Sequence, residues 1–433
     1  MSLRRAFIGV VILVLAGLLT FQLAAGNSIP NRQSFNDSTG TLKTYSTLGS
    51  LDLSNAFFQS LGTNGRSCAS CHAVSDAWSI SAAHVQQRFQ DTQGLDPIFR
   101  AIDGANCPSA DVSTLAARTS AYSLLLNKGL IRMAIPVPTD AEFSITAIND
   151  PYSCAETTAT RPALYRRPLP STALGFLPAI MWDGREASLS TQASNATLVH
   201  ASPAQPPTDA QLQQIVNFET SLFTAQSSDN LAGSLTAKGA DGGPVNLSQQ
   251  AFFPGINPDG VDAFTLYTSW TGSAGSAVAN QRGSIARGQA LFNTRSIRIT
   301  GVAGLNDVRA QDTIFGNCGT CHNAPNVGSS STPAMMNIGT ASPRVGLPTY
   351  TLLCTDGTQV FTPDPGRAMF TGKCADIGKF KVPSMRGLAA RAPYFHDGSA
   401  ATVRQVVDFY DQRFGMLLSE EEKADLISFL NSL

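Results

Sequence analysis

Cys68-Ala69-Ser70-Cys71-His72 and, near the other end of the chain, Cys318-Gly319-Thr320-Cys321-His322 share one pattern, Cys-x-x-Cys-His. Two thiols a turn apart can form thioethers with the two vinyl groups of one porphyrin, and the adjoining imidazole is then aimed at the iron. With only eight Cys and five His in the chain, two chance copies are not expected. The spacing therefore reads as two covalently bound haem c groups. Cys68, Cys71, Cys318 and Cys321 are the attachment points, and His72 and His322 the iron ligands. A zinc ribbon also uses Cys-x-x-Cys pairs, but it draws them from neighbouring hairpins. These two lie far apart, and each carries its own His.

Covalent haem attachment takes place outside the cytoplasm, and the N-terminus reads as an export signal. Met1 to Arg5 is basic, Ala6 to Ala25 is apolar and uncharged, and Ala24-Ala25-Gly26 offers small residues for cleavage. The apolar run is also about long enough to span a bilayer, so a cleaved leader and a retained membrane anchor both stay open, and either places the remainder in the periplasm. The four cysteines outside the haem motifs are then expected to pair by neighbourhood, Cys107 with Cys154 and Cys354 with Cys374. A net charge of −1 and the lack of a dense basic run after the leader argue against nucleic acid as a partner.

Roughly 400 residues after the leader exceed one core. The small, polar stretch from Thr271-Gly272-Ser273 to Arg282-Gly283 precedes a new helical start at Ser284, and the boundary is placed there. The chain thus divides into a leader or anchor at 1–25, an N-terminal haem domain with insertions at 26–280, and a C-terminal haem domain at 281–433. Ser419-x-x-Glu422 is a capping box ahead of the stripe Leu426, Ile427, Leu430, Leu433. Thr208-x-x-Gln211 starts a second such helix, with Leu212, Ile215, Val216 and Leu222 inward. Strand patterning is scarce. The expected fold is mainly α, two cytochrome c-like haem domains with long Gly-, Pro- and Ser-rich loop insertions and few short strands.

Two further runs carry a resemblance. Met181-Trp182-Asp183-Gly184-Arg185 through Gln192-Ala193, and Lys381-Val382-Pro383-Ser384-Met385-Arg386-Gly387 through Ala392-Pro393-Tyr394-Phe395-His396-Asp397-Gly398-Ser399, resemble the bacterial di-haem cytochrome c peroxidases and their relative MauG. With the haem motifs, in the same order, they cover most of residues 50 to 433. The resemblance implies an oxidoreductase in which the haem on His72 meets hydrogen peroxide and the haem on His322 relays electrons to it. Trp182 would lie between the haems, and Arg185 and Arg386 would meet haem propionates. It further implies an electron donor, a small protein or a quinol-linked cytochrome, and a calcium ion held between the domains largely by backbone carbonyls near Arg391 and Pro393. It leaves a homodimer open.

The distal side of the first haem is where the chain departs from the family. Gln192 stands at the position of the family's glutamine, but Ser202 replaces its glutamate. His200 is the nearest ionisable group, either as acid/base or as sixth iron ligand, and His84 is the alternative sixth ligand. At the second haem the family's sixth-ligand position falls on Tyr410, as in MauG, with Met416 as the nearby alternative. His396 is expected to tie the Asp397-Gly398 turn to the domain interface. The alternative to an enzyme is a non-catalytic di-haem cytochrome for electron transfer or redox sensing.

Overall fold

A computed structural model describes residues 27–252, 255 and 262–433. Helix makes up 32% of it and strand 18%, in many small sheets, so the expectation of a mainly α fold is corrected. The missed strands have a physical signature. Gly40–Ser46 alternates strictly between buried and half-buried positions, yet its inward residues are Gly40, Leu42, Thr44 and Ser46. It pairs antiparallel with Leu222–Asp229 in a four-stranded sheet. Between them Thr44 Oγ1 meets Thr224 Oγ1 at 2.8 Å, and Ser46 Oγ meets Ser221 Oγ at 3.0 Å. A strand whose buried face is stitched by hydroxyls shows no apolar alternation. A three-stranded sheet likewise joins Phe143–Asn149 to Thr349–Cys354 and Gln359–Thr362, tying the first insertion to the last third of the chain.

The helical signals hold. Ser419 and Glu422 cap Glu420–Asn431, and Thr208 and Gln211 cap Asp209–Thr220. Leu212 and Ile215 face inward with Phe218, whereas Leu222 belongs to the next strand. The helix through the expected boundary begins earlier than Ser284: it is Ala277–Thr294, capped by the Ser276 side chain on Ala279 N, so position 281 lies inside it. Glu420–Asn431 crosses this helix at Gly288, where a Cβ would sit 2.0 Å from Asp425 O. Phe264, Phe292 and Phe429 pack mutually with centroids 5.2, 5.2 and 5.8 Å apart, each pair worth about 0.5–1.5 kcal/mol beyond its burial.

Cys107–Cys154 and Cys354–Cys374 are disulfides, paired by neighbourhood as expected. Among the described residues no helix is long and apolar enough to cross a membrane. The leader or anchor at 1–25 lies outside the described residues.

Candidate functional site

Both Cys-x-x-Cys-His runs fold into the same tight turn. Cys68–Ser70 and Cys318–Thr320 are single 3-10 turns, opened by reciprocal side-chain caps from Ser67 with Ser70 and from Asn317 with Thr320. The amides of His72 and His322 donate to the first cysteine's carbonyl at 3.0 and 3.1 Å. Each imidazole then gives Nδ1 to a carbonyl six residues on, His72 to Trp78 O at 2.9 Å and His322 to Gly328 O at 2.6 Å. Trp78 and Gly328 both adopt positive φ, 58° and 74°, to turn that carbonyl inward. The hydrogen bond fixes the tautomer and leaves each Nε2 for a metal. A phenylalanine stands edge-on behind each ring, Phe57 at 6.4 Å from His72 and Phe292 at 6.1 Å from His322.

His322 opens into a cavity of ≈ 190 Å³ that it shares with Cys318, Cys321, Tyr410, Met416 and Trp182. The His322 and Tyr410 rings face across it with centroids 6.5 Å apart. Tyr410 comes from the Val403–Phe414 helix, where its ring stacks on Phe414. Burial, with the Cys321 and Cys318 thiols beside it, holds the phenol well above its usual range. Met416, also buried, enters just past the Gly415 that ends this helix. Both sixth-ligand candidates therefore reach the cavity.

The second cavity, ≈ 80 Å³, lies on His72 and is lined by Cys68, Cys71, Gln192, His200 and Glu219. The Leu189–His200 helix presents Gln192, Ala196 and His200 at successive turns, one stripe facing the cavity, with small Ala196 leaving it open. His200 Nδ1 is 2.6 Å from Asp103 Oδ2, and Arg66 Nη1 holds the other oxygen of that buried carboxylate. Burial alone would raise Asp103, but the His200 hydrogen bond and the Arg66 guanidinium outweigh it and hold the carboxyl below its usual range. Ser202, at the family's glutamate position, lines neither cavity. Its carbonyl accepts from Thr63.

Glu219 was missed by sequence reasoning. It sits among Leu212, Ile215 and Phe218 on the buried face of the next helix, and a lone acid on an apolar face was the available signal. Burial pushes it up to about 7, and the Ser171 hydroxyl beside it offsets only part of this. Ser171 Oγ in turn lies 3.2 Å from His72 Nδ1.

The remaining candidates divide. Trp182 donates from Nε1 to Arg167 O at 2.8 Å and stands edge-on to His396 at 6.2 Å. His396 is buried and stacked on Phe380, and its carbonyl accepts from Arg167 N at 2.7 Å. Arg185 turns instead to Asp183, at 2.9 Å, and lines neither cavity. His84 is half-exposed, tied to Asp76, and lines neither cavity.

The residues fit covalent haem. Cys68, Cys71, Cys318 and Cys321 stay free while the other four cysteines pair. Arg391, on the larger cavity, has a buried Nε lacking any partner, and Arg386, buried and unpartnered at Nε and Nη2, lines neither cavity. Buried guanidinium groups left so call for an anion such as a propionate. At the position expected for calcium, a guanidinium already holds one of the carbonyls. The Arg391 carbonyl already accepts from Arg167 Nη2 and the Ala392 carbonyl from Ala82 N.

No protein-family profile matches the chain. Among curated proteins it is similar to the cytochrome-c peroxidase IdrP2 of Denitromonas iodatirespirans, 33% identical over 141 residues that cover 27% of this chain and 36% of that protein. It is also similar to the cytochrome c551 peroxidase of Nitrosomonas europaea, 33% identical over 117 residues that cover 27% of this chain and 30% of that protein. The chain thus matches about a third of the length of these relatives. Among solved structures it is similar to a MauG-like protein associated with microbial copper homeostasis, with a TM-score of 0.40 and 16% identity over 88% of this chain and 86% of that one. By sequence, the chain is similar to bacterial cytochrome c peroxidases over about a third of their length.

Proposed function

We propose that the chain is an exported di-haem c-type oxidoreductase that reduces hydrogen peroxide, or uses it to oxidise a second substrate, with electrons passing from the haem on His322 to the haem on His72. The observation that carries this reading is the stripe of Gln192 and His200 on the cavity of His72, with Asp103 behind His200. Haem, when held on His72, would supply the redox chemistry. His200 would take a proton from one peroxide oxygen and return it to the other, while ionised Asp103 stabilises the imidazolium between the two transfers. Gln192 would offer its amide hydrogen to peroxide in the same cavity. Two protons and two electrons complete the conversion of one peroxide to two waters. The electrons come from a small donor protein or a quinol-linked cytochrome.

Trp182 supports the relay. It lines the larger cavity and bonds Arg167 O, and the same short segment ends at Ser171, beside His72 Nδ1. A second reading, an electron-transfer or redox-sensing cytochrome with both irons closed, draws on the same Asp103 bond, because a histidine that ligates iron also anchors its other nitrogen. The spin-state spectrum of the oxidised protein, followed through addition of peroxide and cyanide, tests the choice. A high-spin or displaceable site that reacts with peroxide is expected. A fully low-spin protein inert to both ligands would leave only the second reading.

A further inference from the structure

Arg167 is buried, forms no ion pair among the described residues, and is satisfied by backbone oxygen alone. Nη2 donates to Ile80 O at 2.6 Å and to Arg391 O at 2.8 Å, and Nη1 donates to Lys128 O at 3.0 Å. Ile80 follows the first haem motif, and Arg391 belongs to the run that walls the larger cavity on His322. The fork sits in a space kept clear by Gly129, where a Cβ would fall 2.4 Å from Nη1. The main chain of Arg167 is equally engaged. Its N–H donates to His396 O, and its carbonyl receives the Trp182 indole.

A buried cation needs either a carboxylate or several oriented carbonyls, and here three carbonyls from three segments converge on one guanidinium. Calcium would ask for roughly six to eight oxygens at about 2.3–2.6 Å. It would do so beside two guanidinium groups, since Arg391 adds its own unfavourable charge. We propose that Arg167 is the resident cation of this junction, that it fastens the segment after the first haem motif to the wall of the larger cavity and so positions Trp182, and that the chain takes no calcium there. The positioning half rests on the relay read above; the calcium half does not.

The test uses the holoprotein. Wild type, purified from calcium-containing medium, should hold well under one calcium per chain. Its thermal midpoint and inter-haem transfer rate should ignore a calcium chelator and added calcium alike. Arg167→Ala should keep both haems and their c-type spectra but slow inter-haem transfer by about 10²-fold, the scale on which a displacement of about 1 Å tells, and millimolar guanidinium should restore the rate. Stoichiometric calcium in wild type, or a chelator-induced loss of stability, would overturn the calcium half. A normal rate in Arg167→Ala, or a slow one that guanidinium leaves unchanged, would overturn the positioning half. If Arg167→Ala yields no folded holoprotein, Arg167→Lys decides, because a single ammonium cannot reach all three carbonyls. It should fold, stay free of calcium and remain slow, and a wild-type rate there would sink the proposal. Should Trp182→Phe transfer electrons normally, the relay itself fails, while calcium content and chelator response still judge Arg167.

Discussion

Asp103 Oδ2 lies 2.6 Å from His200 Nδ1, far apart in sequence and joined only by the fold. The contact commits the imidazole to one tautomer, with Nε2 turned to the cavity it shares with His72. Asp103→Asn keeps the size but removes the charge that would stabilise an imidazolium. With His200 as acid/base, peroxide cleavage should fall by about 10²–10⁴ while haem content and spin state persist. Rapid-mixing kinetics with peroxide would check this. A rate equal to wild type would remove Asp103 and His200 from the proton path.

Tyr410 makes the complementary test at the other cavity. Its hydroxyl has no hydrogen-bond partner among the described residues, and its ring faces His322. A phenolate on ferric iron stabilises that state, so Tyr410→Phe should raise the midpoint potential of the second haem and alter its ferric spectrum. Met416→Leu should change neither. Spectroelectrochemistry of the two variants separates the candidates, and the reverse pattern would hand the position to Met416.

What was legible in the sequence was chemistry carried by consecutive residues. The haem turns are written in five positions each, the capping boxes in four, and the disulfides in nearest neighbours. His200 was reachable because it shares a helix with Gln192, which had already been located. Three things were not legible, each for a stated reason. The strand Gly40–Ser46 buries hydroxyls, so its period carries no apolar signal. Arg167 is held by carbonyls, which every residue has. Arg185 was expected at a propionate because its neighbours in space were unknown, and the fold pairs it with Asp183, two residues away, where it lines neither cavity.

The helix crossing at Gly288 is a steric prediction. A methyl group there would meet Asp425 O at 2.0 Å and Phe429 Cβ at 2.7 Å, both fixed by the facing helix. Gly288→Ala must separate the helices that hold Phe292 behind His322, so it should cost about 1–3 kcal/mol, the usual range for overpacking. Denaturant unfolding of the holoprotein measures it. A stability unchanged within error would mean that the two helices slide apart freely.

Glu219 gives the last prediction, and its sign can be worked out. Burial raises its carboxyl from 4.5 to about 7 in the folded chain. A group whose folded value is raised favours the folded state fully below the unfolded value and loses that contribution as pH climbs through the folded one. Wild type should therefore lose stability between about pH 4.5 and 7 and level off above that, by up to about 3 kcal/mol from this group. Glu219→Gln keeps the shape, removes the titration, and should flatten that part of the profile, so that the variant gains on wild type at about pH 8 but not at about pH 5. Its Oε2 has no hydrogen-bond partner in the described chain, so the substitution breaks no bond at that atom. Because Ser171 stands between Glu219 and His72, the same variant should also remove a pH dependence from the potential of the first haem over the window in which Glu219 ionises. Identical pH profiles of stability and potential in wild type and Glu219→Gln would show that Glu219 stays in one protonation state throughout.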